Sequence, residues 1–240
     1  MASRKEQKEQ LRREREEREV AAKAAERRRR TIGIGAAAVL VIAVAAVLVV
    51  VLAGGGDGGD GKANGASDVL PSGGKVPDPK VTDLEEAAEA AGCELKGFKA
   101  KSRDHSEDLA EQIQYESTPP TSGRHFVEAA EDGAYEEAPD VKQLVHSLEH
   151  GRVVVWFKKT LPKEQRAQLN ALFDEDTFQM LITPDETGSA YAVAVTAWNA
   201  DPMPLGTGRL LGCKRFSPAV FDAVRTFKDE HRSNGPEPVP

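Results

Sequence analysis

Residues 31–53 form a run of 23 residues without a charged side chain, and Ala, Val, Leu and Ile make up most of it. As an α-helix this run would be about 34 Å long, which exceeds the roughly 30 Å thickness of the hydrocarbon layer of a membrane. No second apolar run of comparable length follows in the sequence. The sequence therefore predicts one transmembrane helix over residues 31–53, with the flanking segments in different compartments.

The charges that flank this run predict its orientation. Residues 1–30 carry a net charge of +5 and end in four arginines, whereas the run is followed by glycines and Asp57. Lys and Arg are enriched on the cytoplasmic side of transmembrane helices, and a secretory signal peptide would have a shorter apolar region. We therefore expect residues 1–30 to form a charged cytoplasmic arm, residues 31–53 to anchor the chain in the lipid bilayer of the plasma membrane, and the C-terminal part to be extracytoplasmic.

The rest of the chain divides by composition. Residues 54–81 are rich in Gly, Asp and Pro and show no periodicity, which predicts a flexible linker. Residues 82–232 show the regular apolar patterns of a globular domain, and residues 233–240 form a Pro-rich tail. Residues 81–240 carry a net charge of −11, which disfavours nucleic acid as a partner and favours cations. The sequence does not identify a protein partner.

Apolar periodicity in the domain alternates between the helical and the strand type. This order predicts an α+β fold in which a mostly antiparallel sheet of about four strands packs against helices. The predicted helices cover residues 84–91, 140–150, 162–173 and 217–231. The predicted strands cover residues 113–116, 152–157, 178–182 and 190–198. The last two strands are expected to form a hairpin, and residues 199–212 are expected to form a loop.

Cys93 and Cys213 are the two cysteines of the chain. In an extracytoplasmic domain two cysteines most simply form a disulfide, although free or metal-bound thiols remain the alternative. A bridge that closes 120 residues would restrict the unfolded chain by about 4 to 5 kcal/mol in the entropy model. We therefore expect a disulfide that joins the beginning of the domain to a segment near its end.

The predicted helix over residues 140–150 carries the chemical groups that a metal site requires. His146 and His150 are four residues apart, so both imidazoles project from one face of a helix. With Glu149 between them they form the pattern H-x-x-E-H, in which two histidines hold zinc and the glutamate acts on a bound water molecule. The alternative is architectural, with His146 as a hydrogen-bonded, partly buried side chain and His150 as a charge at the helix C-terminus.

A third histidine follows a loop with unusual stiffness. Pro119 and Pro120 restrict the backbone, and Gly123 permits a tight turn shortly before His125. Such a loop presents its histidine in a reproducible position, whereas a flexible loop would not. The residues expected to support this loop are Tyr115, Pro119, Pro120, Ser122 and Gly123.

Three short segments and one tyrosine of the chain resemble a known family. They are residues 119–125 (Pro-Pro-Thr-Ser-Gly-Arg-His), residues 144–151 (Leu-Val-His-Ser-Leu-Glu-His-Gly), residues 196–198 (Thr-Ala-Trp) and Tyr115. Together they resemble a bacterial, largely actinobacterial family called domain of unknown function 3105, over about residues 85–230. The resemblance implies a single-pass, membrane-anchored protein and no particular activity. Arg152 departs from the small residue expected after the His-Gly pair, which would alter access to the site.

Three functions are compatible with these patterns. The first is a metal site, non-catalytic or redox, built from His125, His146 and His150 with Glu149 as fourth or outer ligand, and three imidazoles suit zinc or copper. The second is a zinc hydrolase in which Glu149 is the catalytic general base and a distant residue such as Glu230 completes the ligands. The third is a structural or protein-interaction module of the cell envelope without metal, which would expose an apolar patch around residues 198–205.

Overall fold

The computed structural model describes residues 69–237 of the chain. This part contains four helices and eight strands. The helices are α1 (Leu84–Ala91), α2 (Val141–Glu149), α3 (Lys163–Glu175) and α4 (Val220–His231). The strands are β1 (Cys93–Lys99), β2 (His105–Ser106), β3 (His125–Phe126), β4 (Gly133–Ala134), β5 (Val153–Phe157), β6 (Met180–Pro184), β7 (Val193–Asn199) and β8 (Thr207–Cys213).

Six of the strands form one mixed sheet in the order β1-β8-β7-β5-β6-β4. The pairs β1–β8, β8–β7 and β7–β5 are antiparallel, whereas β5–β6 and β6–β4 are parallel. The remaining strands, β2 and β3, pair with each other in parallel as a separate two-stranded sheet. The predicted α+β class with a mostly antiparallel sheet is therefore confirmed.

Both faces of the large sheet are covered, which explains why β5 is apolar at every position. Successive side chains of β5 point to opposite faces. Val153, Val155 and Phe157 belong to a core that includes residues of α1, α3 and α4. Val154 and Trp156 belong to a second core, which is shared with α2. Among residues 69–237, α2 is therefore the helix that covers this second face of the large sheet. The loops that follow β1 cover the rest of the face.

The strand prediction was wrong in four places. The sheet has six strands instead of about four, because β1 and β8 lack a clear apolar alternation and β4 has only two residues. Residues 113–116 form no strand. The expected hairpin between β6 and β7 does not exist, since β5 lies between them, and the expected loop over residues 199–212 contains most of β8. Tertiary pairing, which local pattern does not reveal, decides these elements.

The segments expected to be a linker and a tail both contact the domain. Leu70 is buried, and the guanidinium groups of Arg166 and Arg225 donate to the carbonyl oxygens of Val69 and Pro77. The predicted linker over residues 54–81 is therefore packed against the domain from residue 69 onwards. Residues 233–237 of the predicted tail also make backbone hydrogen bonds to the domain, at Gly151 and Glu149 among others.

The predicted transmembrane helix over residues 31–53 lies outside the described residues, as does the arm over residues 1–30. Among residues 69–237, no helix has the length and apolar character needed to cross a membrane.

The disulfide between Cys93 and Cys213 is confirmed. The two residues are direct partners in the antiparallel pairing of β1 with β8. Because β1 is the edge strand of the sheet, the bridge fastens this edge to the interior strand beside it.

His231 is buried at the end of α4. Its ring packs against Phe227, and Nδ1 accepts a hydrogen bond from the side-chain amide of Asn199. Burial, together with the positive charge of Arg209, lowers the pKa of His231 from 6.5 to about 4.

This lowered pKa predicts a loss of stability in mild acid. Between pH 6.5 and pH 4 the unfolded chain binds the His231 proton more tightly than the folded chain, so the free energy of unfolding falls as the pH falls. Between pH 7 and pH 4 we expect this residue to account for a loss of about 3 kcal/mol. Urea denaturation at both pH values should show a smaller loss in H231Q than in the natural chain. Equal losses would contradict the assignment.

Candidate metal centre

Helix α2 positions two of the predicted site residues. Asp140 caps its N-terminus by accepting a hydrogen bond from the backbone N–H of Lys142, and Leu144 and Leu148 are buried against the sheet. His146 and Glu149 are one turn apart on the helix, where side chains three residues apart are neighbours. Both are buried, at 6% and 0% exposure. The apolar face of α2 thus holds a histidine and a carboxylate in the protein interior.

The loop before β3 is packed as tightly as its sequence suggests. Pro119, Pro120 and Ser122 are buried. Thr121 lies directly on Gly208 of β8, where a Cβ atom would come within 2.2 Å of the threonine hydroxyl. The loop therefore rests against the sheet with no space for a larger residue at position 208.

The end of this loop fixes the ring of His125. Gly123 has a φ angle of +128°, which favours glycine, and its Cα packs beside the ring of Tyr115. The Tyr115 hydroxyl donates to the carbonyl oxygen of Arg124 at 3.1 Å. His125 itself is fully buried, so the loop delivers one imidazole to a defined position in the interior.

The small parallel sheet of β2 and β3 places His105, which was not among the predicted ligands, beside His125 and His146. His105 of β2 is the direct partner of His125 in β3, and their ring centroids are 4.5 Å apart. The His105 ring lies 4.9 Å from the ring of His146. The His105 side chain is 40% exposed, so this residue forms the solvent-facing side of the group.

These four residues form one cluster. His105, His125, His146 and Glu149 each place a possible ligand atom within 4.8 Å of all the others. Three imidazole nitrogens and one carboxylate oxygen form a donor set that zinc sites in proteins use. The cluster can therefore hold a metal ion.

The hydrogen bonds of the rings define which nitrogens face the cluster. Nδ1 of His125 lies 2.7 Å from the carbonyl oxygen of Gly123, and Nδ1 of His146 lies 2.7 Å from that of Phe126. A carbonyl oxygen can only accept, so in each neutral ring Nδ1 carries the hydrogen and Nε2 keeps its lone pair. Metal-binding histidines commonly show this arrangement, in which a backbone carbonyl fixes the tautomer.

Two buried acceptors face each other at the base of the cluster. Nε2 of His125 lies 3.0 Å from Oε2 of Glu149, and both side chains have 0% exposure. Neither atom has a hydrogen-bond partner of good geometry among residues 69–237. A lone pair on neutral His125 and a carboxylate oxygen repel each other at this distance unless a cation, either a proton or a metal ion, lies between them. Buried polar atoms without partners are uncommon, and a water molecule or an ion bound between them is one explanation for such a pair.

The second oxygen of Glu149 is held by Arg103, whose Nε donates to Oε1 at 2.6 Å. Burial by itself raises the pKa of the Glu149 carboxyl, but the contact with His125, when a proton lies between the two groups, and the contact with Arg103 outweigh burial and lower this pKa to about 2. The carboxylate is therefore ionised at neutral pH, with one oxygen fixed by a guanidinium and the other directed at the histidines.

His146 is in the protonation state that a metal ligand requires. Burial, together with the neighbouring rings of His125 and His150, lowers the pKa of His146 to about 4. The ring is therefore neutral at neutral pH, and its Nε2 lone pair is available without the loss of a proton.

The structure brings together three of the four predicted ligands, namely His125, His146 and Glu149, and adds His105 in the place expected for His150. His150 is the residue that ends α2, and its ring lies beside His146, with centroids 4.5 Å apart. Its Nδ1 donates to the carbonyl oxygen of Glu237 at 2.9 Å. Glu230, considered as a distant ligand, lies 3.8 Å from the ring nitrogen of His231 and outside the cluster.

His105 and Arg103 were not predicted from the sequence. They lie in a charged stretch, residues 101–108, that shows neither periodicity nor a recognisable motif. The signal in the sequence that could have indicated His105 is that the chain has only five histidines. Four of them meet at this site.

The family model described as a protein of unknown function (DUF3105) matches residues 106–239. The chain belongs to this family. The matched segment contains His125, His146 and Glu149, whereas His105 directly precedes it. No curated protein and no solved structure matches the chain.

Proposed function

We propose that this chain is a membrane-anchored, extracytoplasmic protein that binds one zinc or copper ion through His105, His125, His146 and Glu149. The observation that carries the proposal is the pair of buried acceptors, Nε2 of His125 and Oε2 of Glu149, which face each other at 3.0 Å without a hydrogen-bond partner among the described residues. A divalent ion placed between them replaces a repulsion with two coordinate bonds. His105 and His146 complete a four-ligand set of the kind that holds zinc in a tetrahedral arrangement.

The proposed location rests on separate features. The uncharged run over residues 31–53 and the arginines that precede it support an anchor with a cytoplasmic N-terminus. The disulfide between Cys93 and Cys213 supports an oxidising environment for the domain, because disulfides are rare in reducing compartments.

The geometry gives less support to a zinc hydrolase. A general base needs a free oxygen near the bound water, but one oxygen of Glu149 is held by Arg103 and the other faces His125. In addition, four protein ligands leave no coordination position for water, whereas catalytic zinc sites keep one open. Binding of the ion is therefore the function that the arrangement supports best.

The geometry also gives less support to an interaction module built on residues 198–205. Trp198 is fully buried, and its indole N–H donates to the carbonyl oxygen of Leu205 at 2.8 Å. In this segment Met203 is the exposed large apolar side chain, at 63%. Trp198, the first residue of the expected patch, is instead part of the core.

Calorimetric titration of the full-length chain in mild detergent, with zinc and with copper, tests the proposal. We expect one ion per chain and an affinity tighter than micromolar for at least one of the two metals. Elemental analysis of the purified protein provides an independent measure of stoichiometry. The absence of binding tighter than micromolar by a folded chain would refute the metal site.

Arg103 is expected to matter most when no metal is bound. In the metal-free protein Arg103 compensates the buried charge of Glu149 at Oε1, and removal of one partner of a buried pair costs about 3 to 5 kcal/mol. We therefore expect R103Q to lower the free energy of unfolding by about this amount in chelator. With zinc bound the loss should be smaller, because the ion compensates the same carboxylate.

The matched control for R103Q is K159Q, which breaks the exposed pair between Lys159 and Glu186. That pair lies in solvent, so the loss should stay below about 1 kcal/mol with or without zinc. Urea denaturation measures all four combinations. An equal loss for R103Q in the presence and in the absence of zinc would show that the ion does not contact Glu149.

A further inference from the structure

His150 lies next to the cluster and is oriented by the C-terminal segment. Its Nδ1 donates to the carbonyl oxygen of Glu237, so Nε2 of the neutral ring keeps a lone pair, as in His125 and His146. The backbone N–H of Glu237 donates to the carbonyl oxygen of Glu149, which anchors this contact on the adjacent residue. The segment over residues 233–237 thereby holds His150 in the tautomer with the hydrogen on Nδ1, which leaves Nε2 free to bind a metal ion. His150 is nevertheless not one of the four clustered residues.

The cluster has a buried side and an exposed side. His125 and Glu149 have 0% exposure, whereas His105 is 40% exposed and His150 is half-buried at the end of α2. An ion from solvent therefore reaches the exposed side before it reaches His125 and Glu149. His146 lies between the two sides, with its ring centroid 4.5 Å from that of His150 and 4.7 Å from that of His125.

We propose that His150 is the exchange ligand of the metal centre, which binds the ion transiently together with His146 while it enters or leaves. The inference rests on the proposed metal site. An incoming zinc ion exchanges two of its water molecules for the Nε2 lone pairs of His146 and His150. It then exchanges His150 and the remaining water for His105, His125 and Glu149. Each step replaces one donor lone pair with another. The proton that lies between His125 and Glu149 in the metal-free protein passes to solvent as the ion binds, and no electron is transferred.

A ligand of this kind stabilises the transition state for exchange and leaves the bound state unchanged. Its removal therefore slows association and dissociation by the same factor, and the equilibrium affinity stays constant. A resident ligand behaves differently, because its loss weakens the equilibrium affinity and acts mainly through faster dissociation.

The test uses the full-length chain in mild detergent with zinc as the probe, and it compares the natural chain with H150Q. Glutamine can still donate to the Glu237 carbonyl oxygen but lacks an imidazole nitrogen, so the C-terminal contact is kept. Stopped-flow mixing with zinc gives the association rate, and release into excess chelator, extrapolated to zero chelator, gives the dissociation rate. We expect both rates to fall about tenfold and the affinity to change by less than about threefold.

The control is H231Q, which removes the histidine at the end of α4 that lies outside the cluster and should leave both rates unchanged. Unchanged rates in H150Q would overturn the exchange role, as would a lower affinity at an unchanged association rate, which would make His150 a resident ligand. In both of these cases the natural chain still binds zinc, and the proposed function stands. A natural chain that binds no zinc would refute both proposals.

Discussion

Replacing His125 or His146 with alanine is expected to reduce the zinc affinity of the chain by about 100- to 1000-fold. Structural zinc sites bind with about 10 to 16 kcal/mol, which for four ligands corresponds to about 2.5 to 4 kcal/mol for each ligand. Both residues are buried, at 0% and 6% exposure, so each variant removes a ligand from the interior of the cluster. Calorimetric titration of each variant beside the natural chain measures the loss.

The same two variants differ in the expected stability of the metal-free protein. Removal of His125 also removes the group that faces Oε2 of Glu149 at 3.0 Å, and this oxygen remains buried. His146 makes no comparable contact with the carboxylate, although its Nδ1 bond to Phe126 is lost. Thermal denaturation in chelator shows whether each variant is folded before its affinity is compared. A folded H146A variant that binds zinc as tightly as the natural chain would exclude His146 as a ligand.

Loss of the disulfide is expected to be the largest single change in stability. The bridge joins residues 120 positions apart, and in the entropy model it contributes about 4 to 5 kcal/mol by restricting the unfolded chain. A double variant, C93A with C213A, should therefore lose about this amount. Urea denaturation followed by tryptophan fluorescence measures it well, because Trp156 and Trp198, the two tryptophans of the chain, are both buried in the domain.

A reducing agent provides the internal control for this prediction. It should destabilise the natural chain by a similar amount and leave the double variant unaffected. Zinc affinity should change little in the variant, since Cys93 and Cys213 belong to the core on the face of the sheet opposite to α2. A loss below about 1 kcal/mol would show that β1 stays paired with β8 without the bridge and that the unfolded chain is already compact.

The local pattern of the sequence was sufficient for the helices and for three of the four residues of the metal centre. Leu144, Val145 and Leu148 define the buried face of α2, and this face places His146 and Glu149 in the interior. The prolines and Gly123 likewise indicated a rigid loop before His125. These features depend on neighbours within a few residues, which is the range over which helix periodicity and turn preferences act.

The sheet order and the fourth ligand depended on contacts between distant segments. Strand β5 lies between β6 and β7, so the two strands that are adjacent in sequence do not pair. His105 joins the cluster because a two-residue strand pairs with His125, and a pairing this short leaves no pattern in the sequence. His150 shares a helical spacing with His146, yet it is the residue at which α2 ends, and the carbonyl of Glu237, 87 residues away, directs its ring.

The sequence by itself therefore determined the class of the fold, the disulfide and the kind of donor atoms at the site, because these follow from composition and short-range spacing. The tertiary structure alone decided which histidines converge and that a guanidinium, Arg103, holds the carboxylate among them. The physical reason is that a metal centre requires ligand atoms a few ångströms apart. In this chain those atoms come from two short strands and a helix whose relative positions are set by packing on the large sheet.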